Sequence, residues 1–345
     1  MNIIEHNRAD LDLKTTIRDF TRMLHPGHLA KEINFRRRSP ISFWRILTWL
    51  ICTQFLGRSL YRAQAAPDFT QRTARNVLND GRINWQRLVC KVTQRVTAYL
   101  APFIDSRRRL AFVLDDTLYP REYSTKTELL ARVFDHDNHR YLRGFRALTL
   151  GWSDGDTFLP VDFALISSKD AKQRLGTPAS SMDQRAISGQ RLAQAQRQMN
   201  DVAVELLRQA LVNGVKAHYV LFDSWFSSPK MFWALRQLGL DGLGMIKRSV
   251  KVYYVYRKRQ YSAKGLYERL RHSKRHARKE YLYSAVVQAH IGNQEFPLRL
   301  VFVANRHQGN NYLVLATTQL ALRPRQIIQM YGRRWQIEGY FQLAK

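Results

Sequence analysis

The last fifteen residues contain a spacing of charged and aromatic side chains that suits phosphate and metal chemistry. On a helix of about 100° per residue, Tyr331, Arg334, Glu338 and Lys345 share an arc of roughly 60°. The apolar residues of this stretch fall on the neighbouring arc and predict burial against a core; they are Met330, Ile337, Phe341 and Ala344. One carboxylate between cations is typical of a site for a metal ion and a phosphate, and the alternative is a solvated face with an i,i+4 ion pair.

Two further carboxylates directly follow short apolar runs. Residues 110–114 (L-A-F-V-L) precede Asp115, and residues 218–222 (H-Y-V-L-F) precede Asp223. Both runs predict buried strands, and strand ends at one edge of a mixed sheet are a common place for functional sites. The alternative is that each aspartate caps a loop. Asp116 follows Asp115 directly, so either residue is a candidate for the first position.

Asp115, Asp223 and Glu338 together form a set of three carboxylates from separate segments. Phosphodiester cleavage by hard cations needs such oxygen ligands, because one metal activates the attacking oxygen and another stabilises the leaving oxygen. The residues therefore favour a metal-dependent reaction on a phosphodiester.

The segments that would position these residues differ along the chain. Residues 1–105 predict an all-helical region with basic edges, which is a plausible DNA-binding domain. Helical patterns there cover residues 10–23, 40–64, 69–79 and 85–100, with a loop at 25–28.

From residue 106 the pattern becomes α/β. A hairpin is predicted from residues 147–152 and 158–166, which flank the turn sequence S-D-G-D. One long helix is predicted at residues 183–213, another from Ser228-Pro229 to Gly239, and a strand at residues 243–246.

Residues 249–318 predict a β-rich region with a basic face. Its first part alternates aromatic and basic side chains, among them Tyr254, Arg257, Lys258 and Arg259. Tyrosine can stack on bases while arginine and lysine bind phosphates, so these four residues are candidates for DNA binding. Strand patterns follow at residues 280–290, 296–304 and 312–317.

Composition agrees with a polyanionic partner. Lysine and arginine number 56 against 27 acidic residues, a formal charge of +29 spread over 345 residues, which favours nucleic acid over a membrane surface. The most apolar run, residues 41–56, is too short to span a bilayer, and the N-terminal residues are polar without a signal-peptide pattern. Cys52 and Cys90 form no metal-spaced motif, which predicts a reducing cytoplasm.

The chain resembles the DDE transposases of bacterial insertion sequences, in the cut-and-paste group with a Y-(2)-R-(3)-E-(6)-K signature. Tyr331, Arg334, Glu338 and Lys345 match that signature at every spacing. The D-x-T motif of the first aspartate matches residues 115–117, and the second aspartate motif matches residues 223–226 (D-S-W-F). The resemblance covers about residues 105–345.

This resemblance implies an α/β fold: an RNase H-like mixed-sheet catalytic core with an N-terminal all-helical domain and a β-rich insertion. The implied divisions are a helical domain at 1–105, the first part of the core at 106–248, the insertion at 249–318, and the final signature helix of the core at 319–345.

The resemblance also implies the chemistry. Asp115, Asp223 and Glu338 would bind two Mg²⁺ ions, with Mn²⁺ as a substitute, while Tyr331, Arg334 and Lys345 would contact DNA phosphates. The reaction would be strand cleavage at the ends of an insertion sequence, followed by strand transfer into target DNA. The partners would be double-stranded DNA, as terminal repeats and as target, and a second copy of the chain on that DNA, in a bacterial, nucleoid-associated cytoplasmic setting.

Two other functions remain open on the sequence. Members of the group continue beyond the signature with further helices, so a core truncated after Lys345 is expected, and the alternative is a catalytically inactive transposase that only binds transposon-end DNA. A basic RNase H-like nuclease without strand transfer is the second alternative.

Overall fold

The structure is a computed structural model, and it describes residues 12, 15–36, 39–63, 66, 68–135, 138–168, 170–175, 183–273, 281–305 and 311–344. The chain divides into two compact units. One comprises Met1–Leu100 with Ala179–Ala193, and the other comprises Ala101–Pro178 with Gln194–Lys345. In the described residues, no helix is long and apolar enough to cross a membrane.

The first unit is built from helices around an apolar core. Residues 15–23 are helical (α1), and the following helices are α2 (Pro26–Glu32), α3 (Phe43–Phe55), α4 (Gln71–Leu78) and α5 (Trp85–Leu100). Leu29, Ile33 and Ile46 are fully buried in their shared core. The loop predicted at residues 25–28 is wrong, because Pro26, with its fixed φ, starts α2 at the first helical position.

The second unit contains one large mixed sheet. Its strands are β1 (Ala111–Pro120), β2 (Ala131–Asp135), β3 (Arg140–Ser153), β4 (Phe158–Ile166), β5 (Tyr219–Phe222), β6 (Asp241–Met245), β7 (Tyr253–Tyr256), β8 (Arg259–Ser262), β9 (Tyr283–Ile291), β10 (Gln294–Ala304) and β11 (Tyr312–Thr317). The order is β2-β3-β1-β5-β6-β11-β10-β9-β7-β8, and β4 pairs with β3.

Parallel pairing occurs at the centre of this sheet. β1 pairs with β5, and β5 with β6, in parallel, whereas the other pairs are antiparallel. The hairpin predicted around the S-D-G-D turn is confirmed as β3–β4. The strands of residues 253–317 continue this same sheet, because β11 pairs with β6. The domain boundaries taken from the resemblance stay predictions.

Strand β1 does not end where the apolar run ends. It continues through Asp115 to Pro120, because β3 pairs with it along its whole length. The parallel pairing with β5 is shorter and stops at Leu114 opposite Phe222. The expectation that Asp115 terminates the strand is therefore wrong, but Asp115 and Asp223 are each the first residue beyond the parallel pairing.

Two helices follow β4 in the sequence. The single helix predicted at residues 183–213 is wrong, since the chain forms α6 (Ile187–Ala195) and α7 (Met199–Val212). Between them the carbonyl of Ala195 accepts a hydrogen bond from Ser167 N at 2.8 Å, and Gln198 adopts an extended conformation before α7.

The next two helices have serine N-caps. Helix α8 (Pro229–Gln237) starts as predicted after Ser228, whose Oγ accepts a hydrogen bond from Met231 N at 3.2 Å. Helix α9 (Ala263–His272) was not predicted, although its N-cap Ser262 accepts from Gly265 N at 3.1 Å in the same way.

The end of the chain is a broken helix. Helix α10 (Pro324–Gly332) and helix α11 (Gln336–Ala344) are joined by a 3₁₀ turn at Arg333–Trp335. Met330 and Ile337 are buried in the core beneath the sheet, and Phe341 packs partly buried against it, as the sequence predicts. The side chain of Ala344 lies outside the described residues.

Candidate active site

The positions of Asp115 and Asp223 follow from the face of the sheet that α10 and α11 cover. Val113 in β1 and Leu221 in β5 share one core with Ile337 of α11. Because alternate residues of a strand point to the same face, Asp115 lies on this covered face, two residues beyond Val113. Asp223 is the first residue after β5, whose last residue pairs with Leu114. The packing of the last helices therefore brings the end of the chain to both aspartates.

Arg334 connects the strand carboxylate to the helix carboxylate. Its Nη1 donates to Asp115 Oδ2 at 2.7 Å, and its Nη2 donates to Glu338 Oε1 at 2.9 Å. The residue is 8% exposed, and its Nε has no hydrogen-bond partner among the described residues. The guanidinium is thus buried between two carboxylates, with one donor unused.

Burial changes the protonation of Asp115. Desolvation raises the pKa of this carboxyl to about 7, although Arg334 and the backbone N–H of Asp116 act in the opposite direction. The charges of Asp223 and Asp116 also contribute to this rise. Asp223 is therefore close enough to Asp115 to interact with it electrostatically.

Tyr331 belongs to the same cluster. Burial raises the pKa of its phenol to about 12, the charge of Arg334 opposes this, and the charges of Asp223 and Asp115 add to it. The guanidinium carbon of Arg334 lies 6.0 Å from the centre of the Tyr331 ring. Tyr331, Arg334, Glu338, Asp115 and Asp223 thus form one site, which we call the carboxylate site.

Asp116 is directed away from this site. Its Oδ2 accepts a hydrogen bond from Arg146 Nε, and its side chain is 5% exposed. Adjacent residues of a strand point to opposite faces, so Asp116 cannot share the face of Asp115. Only Asp115 of this pair faces Arg334.

The Asp223 carboxylate is held by the turn that follows β5. The backbone N–H of Trp225 donates to Asp223 Oδ1 at 2.8 Å, which fixes one carboxylate oxygen. The Trp225 ring is half exposed, and Lys247 Nζ lies 4.8 Å from its centre.

Sequence reasoning missed the residues that attach α11 to the sheet. Ser153 Oγ donates to Gln336 Oε1, and Gln336 Nε2 donates to the carbonyl of Gly155 at 3.0 Å. Gly155 has φ +111°, and a Cβ there would lie 2.9 Å from the Arg333 guanidinium carbon. The only sequence signal was the turn S-D-G-D, which identifies the hairpin but not its partner.

The predicted DNA-binding residues of the β-rich region lie elsewhere. Arg257 and Lys258 form the two-residue turn between β7 and β8, both with positive φ, and Arg259 follows, all three exposed. Tyr254 is 3% exposed, because strand alternation points it inward, and this burial argues against the prediction that it stacks on a base. Six strand steps of about 4.8 Å separate β7 from β1, so this hairpin is not part of the carboxylate site. Lys345 lies outside the described residues.

The donor set suits a hard divalent cation. Asp115, Asp223 and Glu338 offer only carboxylate oxygens, the ligands that Mg²⁺ prefers. The described residues contain no preformed group of three histidine, cysteine, aspartate or glutamate side chains that could hold a metal ion. Arg334 places its positive charge between Asp115 and Glu338 and so neutralises two of the three carboxylates.

Comparison with known protein families identifies the family of this chain. No curated protein matches the chain. A family model described as DDE superfamily endonuclease matches residues 45–298, about three quarters of the chain. The match includes Asp115 and Asp223 and ends before Glu338, and the mixed sheet with parallel central strands agrees with the RNase H-like fold. The chain therefore belongs to the DDE superfamily endonuclease family.

Proposed function

We propose that the chain is a transposase that cuts DNA strands at the ends of an insertion sequence and transfers the cut ends into target DNA. The observation that carries this proposal is the double contact of Arg334 with Asp115 and Glu338, beside Asp223. Three carboxylates, one buried cation and one phenol from distant segments meet around this double contact.

The metal ligands in this proposal are Asp115, Asp223 and Glu338. Two Mg²⁺ ions, for which Mn²⁺ substitutes, supply activation of the attacking oxygen and stabilisation of the leaving oxygen when they are bound. Because a ligating carboxylate must be deprotonated, Asp115 has to lose its proton before it can bind metal. Its raised pKa therefore links metal binding to pH near neutrality.

Arg334 changes partner in this proposal. Its guanidinium neutralises Asp115 and Glu338 before metal binds, and it then binds an oxygen of the scissile phosphate. Its unused Nε gives it a further donor for that phosphate. The Tyr331 hydroxyl donates a hydrogen bond to a phosphate oxygen, since a pKa of about 12 keeps the phenol protonated at neutral pH. Lys345 completes the phosphate contacts.

The reaction proceeds in two steps at this one site. Water attacks a phosphorus atom at the end of the element and releases a 3′-hydroxyl, and that hydroxyl then attacks a phosphorus atom of the target strand. Two copies of the chain hold the two ends, so the assembly on DNA is a homodimer. The exposed residues Arg257, Lys258 and Arg259 contribute to DNA binding outside the carboxylate site.

The test is cleavage and joining of a labelled duplex that carries the terminal repeat of the element encoding this chain. The reaction contains a plasmid target and Mg²⁺, Mn²⁺ or EDTA. Asp223→Ala and Glu338→Ala are compared with Asp201→Ala, which replaces a partly exposed aspartate of α7 that pairs with Lys230. We expect metal-dependent cutting and joining by the parent and by Asp201→Ala, and neither reaction by the two site variants.

Each other outcome contradicts a defined part of the proposal. Cutting without joining identifies a nuclease. Binding without cutting identifies the truncated, inactive transposase. Cutting by Asp223→Ala or Glu338→Ala at the parental rate shows that the residue assignment is wrong.

A further inference from the structure

A basic and aromatic surface lies on β2, β3 and the end of β1, toward the β2 edge of the sheet and outside the carboxylate site. We call it the outer-strand surface, and its residues are Tyr119, Arg121, Arg132, Tyr141 and Arg143. All five are exposed; the Tyr141 side chain, for example, is 57% exposed. None of them belongs to the transposase signature.

The outer-strand surface is on the same face of the sheet as Asp115. Tyr119 is four residues beyond Asp115 in β1 and shares its face. Tyr119 is opposite Phe145 in β3, Arg143 is two residues from Phe145, and Arg143 is opposite Arg132 in β2. Residues paired across a sheet point to the same side, so the surface continues the face of the carboxylate site toward the sheet edge.

Two arginines are opposite each other on this face. Arg132 and Arg143 are register partners, an arrangement that costs stability because like charges repel. In the part of the chain that the structure describes, neither they nor Arg121 forms an ion pair with a carboxylate. On this face of the described strands β1–β3, Asp115 is the only acidic side chain. The surface therefore lacks internal neutralisation and fits an anion.

The aromatic rings hold these arginines in place. The Arg121 guanidinium carbon is 4.2 Å from the centre of the Tyr119 ring, and that of Arg132 is 5.2 Å from the centre of the Tyr141 ring. The Tyr141 ring in turn contacts Phe134, with 5.1 Å between centres. A guanidinium supported by a ring keeps its edge donors available for a phosphate.

We propose that the outer-strand surface binds the phosphate backbone of the DNA duplex whose scissile phosphate occupies the carboxylate site. This inference rests on the proposed function and adds a path for the DNA. Four strand residues from Asp115 to Tyr119 span about 13 Å, which equals about four base pairs of duplex at 3.4 Å each. Arg132 and Arg143 lie further toward the edge, so the contacted phosphates are about four to six base pairs from the cut.

The first test is the salt dependence of binding of the full chain to a fluorescein-labelled 30-base-pair duplex of random sequence. The variant is Arg132→Gln with Arg143→Gln. The control is Arg208→Gln with Lys216→Gln, which removes the same charge from exposed positions in and after α7. Losing two phosphate contacts should reduce the slope of log K against log salt by about 1.8, and the control should keep the parental slope.

Thermal unfolding of the same variants separates a binding role from a structural one. Since Arg132 and Arg143 repel each other, their replacement should leave the melting temperature equal or higher while the salt slope falls. A lower melting temperature with a parental slope would show that the pair is structural and would overturn the proposal.

A cross-link locates the DNA. A photoreactive phenylalanine analogue at Tyr141 should cross-link to the terminal-repeat duplex about four to six base pairs from the cut, and one at the exposed Val212 of α7 should not give that product. If the parent binds no duplex DNA, the proposed function and this inference both fail. If the parent cuts DNA and Arg132→Gln with Arg143→Gln keeps the parental slope, this inference alone fails.

Discussion

Arg334 donates to Asp115 across 219 residues of sequence, from a 3₁₀ turn at the end of the chain to the middle of the first strand of the sheet. The same guanidinium donates to Glu338 one helical turn later. The local contact depends only on i,i+4 spacing, whereas the distant contact depends on α11 packing against β1. The contact with Asp115 is the more buried of the two, since the Glu338 side chain is 39% exposed, so Arg334 matters most for the stability and the protonation of Asp115.

Removal of Arg334 should destabilise the fold. At pH 8, Arg334→Ala should lower the free energy of unfolding by about 3–5 kcal/mol, because Asp115 loses the charge that favours its ionised form and must either stay charged while buried or take up a proton. Arg334→Lys should recover only part of this loss, since one ammonium replaces the two-pronged contact. Denaturant unfolding measures both, with the neighbouring Arg333→Ala as control. A loss below about 1 kcal/mol for Arg334→Ala would show that the ion pair contributes little.

Asp115 should make stability depend on pH. Its pKa is raised to about 7 in the folded chain, against an ordinary value of 3.8 when unfolded. Between these values the folded state binds more protons, so the parent loses stability as the pH rises toward 7. Asp115→Asn lacks this titration. Its free energy of unfolding minus that of the parent should therefore increase from pH 5 to pH 7 and level off above it. A constant difference over this range would exclude the raised pKa.

Substitutions of Asp116 and of Asp115 should have different effects on the rate of cleavage. Asp116 pairs with Arg146 on the other face of β1, so Asp116→Asn with Arg146→Gln removes both charges together. This double variant should cut the terminal-repeat duplex within about tenfold of the parental rate, corresponding to roughly 1.4 kcal/mol. Asp115→Asn should show no cutting. Equal loss of cutting in both variants would mean that the face of β1 does not decide the metal ligand.

Tyr331 should act through its hydroxyl. Tyr331→Phe keeps the ring and should change the free energy of unfolding by less than about 1 kcal/mol, yet it should slow cleavage about tenfold to a hundredfold, the value of one hydrogen bond to a charged group. The phenol pKa of about 12 also predicts that Tyr331 adds no tyrosinate absorbance up to pH 10, where an ordinary tyrosine is half ionised. Parent and variant should therefore give the same absorbance titration to that pH.

Gly155 should be required for the attachment of α11. Its φ of +111° strains any residue with a Cβ, and the Arg333 guanidinium would have to move away from a methyl group there. Gly155→Ala should cost about 1–3 kcal/mol of stability and slow cleavage, because the carbonyl that Gln336 contacts moves with the turn. Gly339→Ala is the control, since its Cβ would meet nothing within 4 Å and should stabilise α11 by up to about 1 kcal/mol. Equal effects of the two substitutions on stability would contradict this account.

The sequence alone determined the local elements and the kind of chemistry. Apolar runs predicted β1 and β5, Ser228-Pro229 predicted the start of α8, and the spacing of Arg334 and Glu338 predicted their shared helical face. These features depend on neighbours within a few residues, where the period of a helix or strand decides which side chains align. The excess of basic residues predicted a polyanionic partner on composition alone.

Only the tertiary structure decided which residues meet. β1 runs past Asp115 to Pro120 because β3 pairs with its whole length, and that register directs Asp115 to Arg334 and Asp116 to Arg146. Strand alternation likewise buries Tyr254 and exposes Tyr253 beside it. Sheet register joins residues that are distant in sequence, and no local pattern specifies it, so the carboxylate site and the outer-strand surface become visible only in the folded chain.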